Sequence, residues 1–262
     1  RYAELFFATG IPLCGFISVV FDSASFFELS WFYPLLIFSG WHVLAVNDFA
    51  FQGKSFAEKI FEPFVFIPFA FFPILIAVFL FFNGNAEFSL VLLFIIINWD
   101  FYSIFGKKKW FLSLFNNFSG GVLHFLLGVS VLSPDFLLNS WSEALFFGFA
   151  MTGAGMHHEA AHFSGDLLGG FETGAVRFGY DKWWHFGIFP MIVSSFLLIF
   201  CEADFALAFS FAFAGYFVAY IFFNSFFSGR FYGLFRCVCR IIFGFAGSTY
   251  IISKILVVYF EL

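Results

Sequence analysis

Charge is scarce in this sequence. Asp, Glu, Lys and Arg supply 11% of its 262 residues, against about 25% in soluble domains. So few charges cannot clothe a water-facing surface, which excludes a soluble globular enzyme. A basic excess is also missing: the net charge is −5 and the pI is near 5.6, so nucleic acid is not an expected partner. Cysteine is sparse, and Cys14, Cys201, Cys237 and Cys239 stand in or beside apolar segments without paired metal-ligand spacing. That excludes a disulfide framework and a zinc ribbon. No cleavable targeting segment is recognisable, and the chain opens at Arg1 without a Met, so the natural N-terminus is expected upstream.

What is abundant is apolar. Hydrophobic residues make up 62% of the chain and Phe alone accounts for 53 positions, the composition of an integral membrane protein. Most of these rings are expected to face lipid or pack helix on helix rather than line an aromatic cage. A membrane helix needs about 20 apolar residues. Segments of that kind fall near 5–21, 29–47, 64–82, 88–104, 118–134, 141–157, 184–201, 205–227 and 241–260. The expectation is therefore an all-α membrane protein of about nine transmembrane helices in one bundle, residues 1–262 forming a single polytopic domain.

The charges sort by side. Arg1, Lys54, Lys59, Lys107, Lys108, Lys109, Arg177, Lys182, Arg230, Arg236 and Arg240 fall at the N-terminus or after the even-numbered segments. Asp22, Glu28, Glu87, Asp135, Glu143, Glu202, Asp204 and Glu261 occupy the opposite connections without a basic residue. By the positive-inside rule the N-terminus and even loops are cytoplasmic and the C-terminus is outside.

Polar chemistry collects in the even loops. After the second segment comes Asn47-Asp48-Phe49-Ala50-Phe51-Gln52-Gly53-Lys54-Ser55, and after the fourth comes Tyr102-Ser103-Ile104-Phe105-Gly106-Lys107-Lys108-Lys109. The sixth ends in His157-His158-Glu159-Ala160-Ala161-His162-Phe163-Ser164-Gly165-Asp166 and continues through Gly169-Gly170 to Gly179. If this stretch is helical, His158, His162 and Asp166 share a face at i, i+4, i+8, with Glu159 alongside. Four metal-competent groups would then converge.

These loops resemble the UbiA-type intramembrane prenyltransferases, which have nine helices and two Asp-rich motifs after helices two and six. Asn47 and Asp48 match the start of the first motif, with Phe51 and Ser55 where that family has aspartates. His158, Glu159, His162 and Asp166 stand at the second motif, and Gly170, Thr173, Ala175, Val176 and Gly179 keep the spacing downstream. Asn117 and Gly120 also fit. The resemblance implies a membrane transferase moving an isoprenoid group from a prenyl diphosphate to a lipophilic or aromatic acceptor. Asp48, Glu159 and Asp166 would be catalytic, holding Mg²⁺ with His158 and His162 as further metal candidates. Asn47, Tyr102, Lys107, Lys108, Lys109 and Arg177 would bind the diphosphate. Trp99, Phe101 or Phe105 would stabilise an allylic cation by cation–π attraction.

Competing readings remain. His158-Glu159-Ala160-Ala161-His162 satisfies H-E-x-x-H, a Zn²⁺ hydrolase or intramembrane protease motif that needs a third ligand such as Asp166 or His157. Six histidines are too few for a diiron histidine box, and His42, His124 and His185 are scattered. Lys254, deep in the last segment, invites a retinal Schiff base, but snorkelling toward the outer surface near Glu261 is simpler. The altered first motif also suits a non-catalytic, cofactor-free UbiA-like subunit of a larger, pigment-binding membrane complex. Besides prenyl diphosphate and acceptor, membrane lipids are the expected partners.

Overall fold

Backbone buried in lipid has no water to bond to, so each apolar run closes its hydrogen bonds internally as a helix. The computed structural model describes residues 2–20, 22, 24–51, 66–132, 139–227 and 231–260, and among these there is no strand. Arg1, Gln52–Ser55, Lys59, Asp135, Arg230 and Glu261 lie outside the described residues, as do the expectations placed on them. The helices are α1 Tyr2–Ser18, α2 Leu29–Phe51, α3 Phe66–Phe82, α4 Ala86–Ile104, α5 Trp110–Val129 and α6 Trp141–Ala161. Then come the short α7 Phe163–Leu168, α8 Gly174–Phe178 and α9 Tyr180–Phe186, followed by α10 Ile188–Leu197, α11 Ala203–Phe227 and α12 Tyr232–Phe260.

Five of the described spans are long and apolar enough to cross a membrane: Ala86–Ile104, Trp110–Val129, Tyr180–Phe200, Ala203–Phe226 and Tyr232–Tyr259. The protein is a multi-pass, all-helical membrane protein. Several bounds differ from the sequence expectation. The fifth helix starts at Trp110 rather than near 118, because Trp110 to Phe115 carries no Gly or Pro to delay it. The last starts at Tyr232, which moves Arg236 and Arg240 from a loop into a helix. The sixth runs on to Ala161 and breaks at His162, whose φ of −103° and ψ of 9° leave the helical region. Asp166 therefore belongs to α7 and not to the helix that carries His158.

At the centre, α5 packs most extensively on α6 and α1, while α12 joins α11 to α1. The α1–α5 crossing is close because two glycines meet there. A methyl on Gly128 would come within 1.9 Å of the Pro12 carbonyl oxygen, and one on Gly15 within 2.1 Å of the Phe125 carbonyl. Small residues of this kind let membrane helices pack backbone to backbone. Phenylalanine fills much of the rest: Phe146 lies 5.1 Å from Phe205 and 5.0 Å from Phe209, centroid to centroid. Many other rings, Phe79, Phe82 and Phe211 among them, are exposed on the outside of the bundle, where lipid would cover them.

At one end of this core lies the polar stretch. At the other, Lys254 Nζ donates to Glu202 at 2.9 Å and lies 3.6 Å from Asp204. These carboxylates at the start of α11 meet the snorkelling lysine.

Candidate functional site

The site is built around a buried carboxylate. Glu159, in the last turn of α6, is 3% exposed, and each of its oxygens has its own donor. The Ser113 hydroxyl on α5 donates to Oε1, and the Gly174 backbone N–H at the start of α8 donates to Oε2 at 3.0 Å. Intramolecular hydrogen bonds contribute about 0.5–1.5 kcal/mol each, so Glu159 pins α8 and α5 to α6. Asn117, one turn further along α5, donates to the Ser113 carbonyl at 2.8 Å and holds Ser113 in place. Tyr102, at the end of α4, is hydrogen-bonded to Ser113 and lies within electrostatic reach of Glu159, Asp166 and Arg236. The indole of Trp183 lies beside the same carboxylate.

A second group forms at the surface. Glu172 accepts from Lys109 at 2.5 Å and from Arg177 at 2.8 Å, all three partly exposed. The Lys109 ammonium, through its hydrogen bond and its charge, and then the Arg177 guanidinium hold the Glu172 carboxyl below its usual range. The connections after α4 and α6 thus meet, bringing Tyr102, Lys109, Glu159, Asp166 and Arg177 into one region. Lys108 lies 6.0 Å from the Phe105 ring. The side chains of Asn47, Asp48 and Lys107 lie outside the described residues; the backbone of the first two is in the closing turns of α2.

The histidines separate. His157 points into the core, where its Nε2 is 2.7 Å from the Tyr216 hydroxyl and its ring lies 4.4 Å from Trp184. The His158 and His162 rings approach to 4.4 Å. Arg236 of α12 donates to His162 Nε2 at 3.0 Å, so a cation already holds that lone pair. Among the described residues no three His, Cys, Asp or Glu side chains converge on a point a metal could occupy. Asp166, on α7, offers an oxygen donor of the kind a hard cation takes.

An apolar groove of about 510 Å³ adjoins the polar group, lined by Trp110, Leu114, Phe118, Phe149, Met156 and Trp183, among others. Small-molecule sites are typically about 300–1,000 Å³. Trp183 belongs to both regions, facing the groove and lying beside Glu159.

Sequence reasoning missed Ser113, Glu172 and Arg236, whose roles arise from contacts between distant segments. It also missed Asp100, whose two carboxylate oxygens lie 3.1 and 3.2 Å from Nε2 of the buried His42. Here a signal existed: an aspartate inside an apolar membrane helix costs about 2.5–3.5 kcal/mol on insertion scales and tends to mark function.

No protein-family model matches the chain, and none of the curated proteins does. Its structure is similar to a solved one from work on digeranylgeranylglyceryl phosphate synthase in membranes. The TM-score is 0.67 at 13% identity, covering 97% of this chain and 96% of that one. The likeness is of fold, over nearly the whole length, and supports the UbiA-type resemblance at that level.

Proposed function

We propose that this protein is a UbiA-type intramembrane prenyltransferase that moves an isoprenoid group from a prenyl diphosphate to a lipophilic acceptor. On the shared fold, the observation that carries the reading is the junction of two unlike surfaces at Trp183. On one side lie Lys109, Arg177 and Asp166, suited to a diphosphate; on the other lies the apolar groove, suited to its tail. In this reading the nine segments all cross the membrane and the basic loops face the cytoplasm.

The donor's tail occupies the groove while its diphosphate lies against Lys109 and Arg177, with Lys107, Lys108, Asn47 and Tyr102 as further contacts. Asp166 and Asp48 would hold Mg²⁺, which when bound neutralises the diphosphate. Glu159 acts by position: its bonds to Ser113 and Gly174 set the loop that carries Glu172 and Arg177. Transfer breaks the bond between the allylic carbon and the diphosphate oxygen, and the electron pair leaves with diphosphate. The acceptor's nucleophilic atom bonds to that carbon and loses its proton. Charge develops on the leaving group, where preorganised cations contribute most.

The zinc reading would need His162 Nε2, and the Arg236 guanidinium beside it argues against a second cation there. The direct experiment supplies the protein in lipid nanodiscs with Mg²⁺, geranylgeranyl diphosphate and a panel of alcohol and phenol acceptors, and follows diphosphate release. Release that depends on acceptor and is lost in Asp166→Ala supports the proposal. Absence of release with donors of every chain length tested refutes it.

A further inference from the structure

Two arginines stand inside the last helix, where charge is costly, and neither has a part in the reaction proposed above. α12 is apolar enough from Tyr232 to Tyr259 to cross a membrane, and it carries no Asp or Glu. Arg236 and Arg240 follow its start by about 6 and 12 Å at 1.5 Å per residue. They share one face of the helix, and both are partly buried. Ionisable residues so placed turn toward the bundle interior and mark function. We infer that Arg236 binds the diphosphate of the donor and stabilises it as it leaves, with His162 positioning the guanidinium; this rests on the prenyl-transfer reading.

The contacts place Arg236 at the polar group itself. Its Nη1 donates to Nε2 of His162 at 3.0 Å, and His162 ends the helix that carries Glu159. Tyr102, hydrogen-bonded to Ser113, lies within electrostatic reach of Glu159, Asp166 and Arg236 alike. Thus α12 contributes to the same group as α4, α5, α6 and α7. The start of α12 is also fixed beside the groove. Tyr232 stacks on Trp184 at 4.0 Å and Phe235 meets that ring edge-on at 4.7 Å, while the adjacent Trp183 lines the groove.

Arginine can only donate, so His162 Nε2 is unprotonated and the ring is neutral. It orients the guanidinium without cancelling its charge. His158, one turn earlier, lies 4.4 Å away ring to ring and backs the imidazole. At the surface, by contrast, Lys109 and Arg177 share Glu172, which offsets part of their charge. A guanidinium presents a planar fork matched to two phosphate oxygens. As the bond between the allylic carbon and the diphosphate oxygen breaks, the electron pair leaves with diphosphate, and a cation already held in place stabilises it. Arg236 touches the substrate and is a catalytic residue, whereas His162 is a positioning one. The histidines of the H-E-x-x-H stretch then serve an arginine rather than a metal.

The test uses the full chain in phosphatidylcholine nanodiscs, with Mg²⁺ and inorganic diphosphate as the probe, and reads binding by calorimetry beside diphosphate release in turnover. Arg236→Gln keeps a donor for His162 and loses only the charge, so it separates a structural role from an electrostatic one. It is expected to bind diphosphate about 10- to 100-fold more weakly and to lower kcat by about 10²-fold, with Arg236→Lys restoring part of both. His162→Leu should weaken binding by less, and should add nothing in the Arg236→Gln background, because it acts through Arg236. A folded Arg236→Gln protein that binds and turns over as wild type does overturns the inference and leaves the prenyl-transfer reading intact. If Arg236→Gln does not fold, phenylglyoxal labelling of the wild-type protein decides. Labelling of Arg236 should fall when diphosphate is present, and equal labelling overturns the inference. A wild-type protein that neither binds nor releases diphosphate removes both readings.

Discussion

Replacing Gly174 with alanine tests how the site is held together. A methyl there would stand 2.1 Å from two atoms of the Trp183 ring and 2.5 Å from a third. That ring is 3% exposed, with Phe178 stacked at 5.5 Å and Trp110 edge-on at 6.2 Å, so it has little room to yield. The backbone at Gly174 is ordinary helix, and the contact alone makes the difference. Overpacking of this kind costs about 1–3 kcal/mol. If α8 moves to relieve it, the 3.0 Å bond from Gly174 N–H to Glu159 is lost too, at about 0.5–1.5 kcal/mol. The expected total is about 2–4 kcal/mol, since the two losses share one displacement. Gly165→Ala is the matched control, because nothing lies within 4 Å of a methyl there and alanine favours a helix by about 1 kcal/mol. Thermal unfolding in one detergent should show Gly174→Ala clearly below wild type and Gly165→Ala at or above it. Equal melting temperatures for the two variants would refute the account of Glu159 as the anchor of α8.

Glu172 offers a pH test. Its carboxyl is held down by Lys109 and Arg177, so what it contributes is present above the ordinary carboxylate pKa and lost as pH falls through its lowered value. In Lys109→Met the carboxyl should titrate nearer its usual range by NMR, and an unchanged titration would contradict the assignment. For the histidines, His158→Ala and His162→Ala should leave the metal content of the purified protein unchanged. Stoichiometric zinc that disappears with either substitution would overturn the magnesium choice.

Much of the membrane architecture was legible from composition, because lipid leaves an apolar chain few alternatives to the helix. The expected segments near 29–47, 64–82, 88–104 and 205–227 coincide within a few residues with α2, α3, α4 and α11. The polar region from His157 to Gly179 also stood out, since ionisable groups beside membrane helices are costly. Helix continuity through that region was misjudged. Nothing in the local pattern forbids a helix at His162, and the break places Asp166 on a different element. Periodicity along one helix cannot say which other helix lies beside it. Glu159 meets Ser113 and Gly174, Asp100 meets His42, and Arg236 meets His162 only because α4, α5, α8 and α12 are packed as they are. The sequence alone determined that polar groups collect at one end of an apolar helical bundle. Tertiary packing decided which carboxylate is locked, which is accessible and which histidine already faces a cation, because burial and hydrogen-bond partners depend on distances between helices.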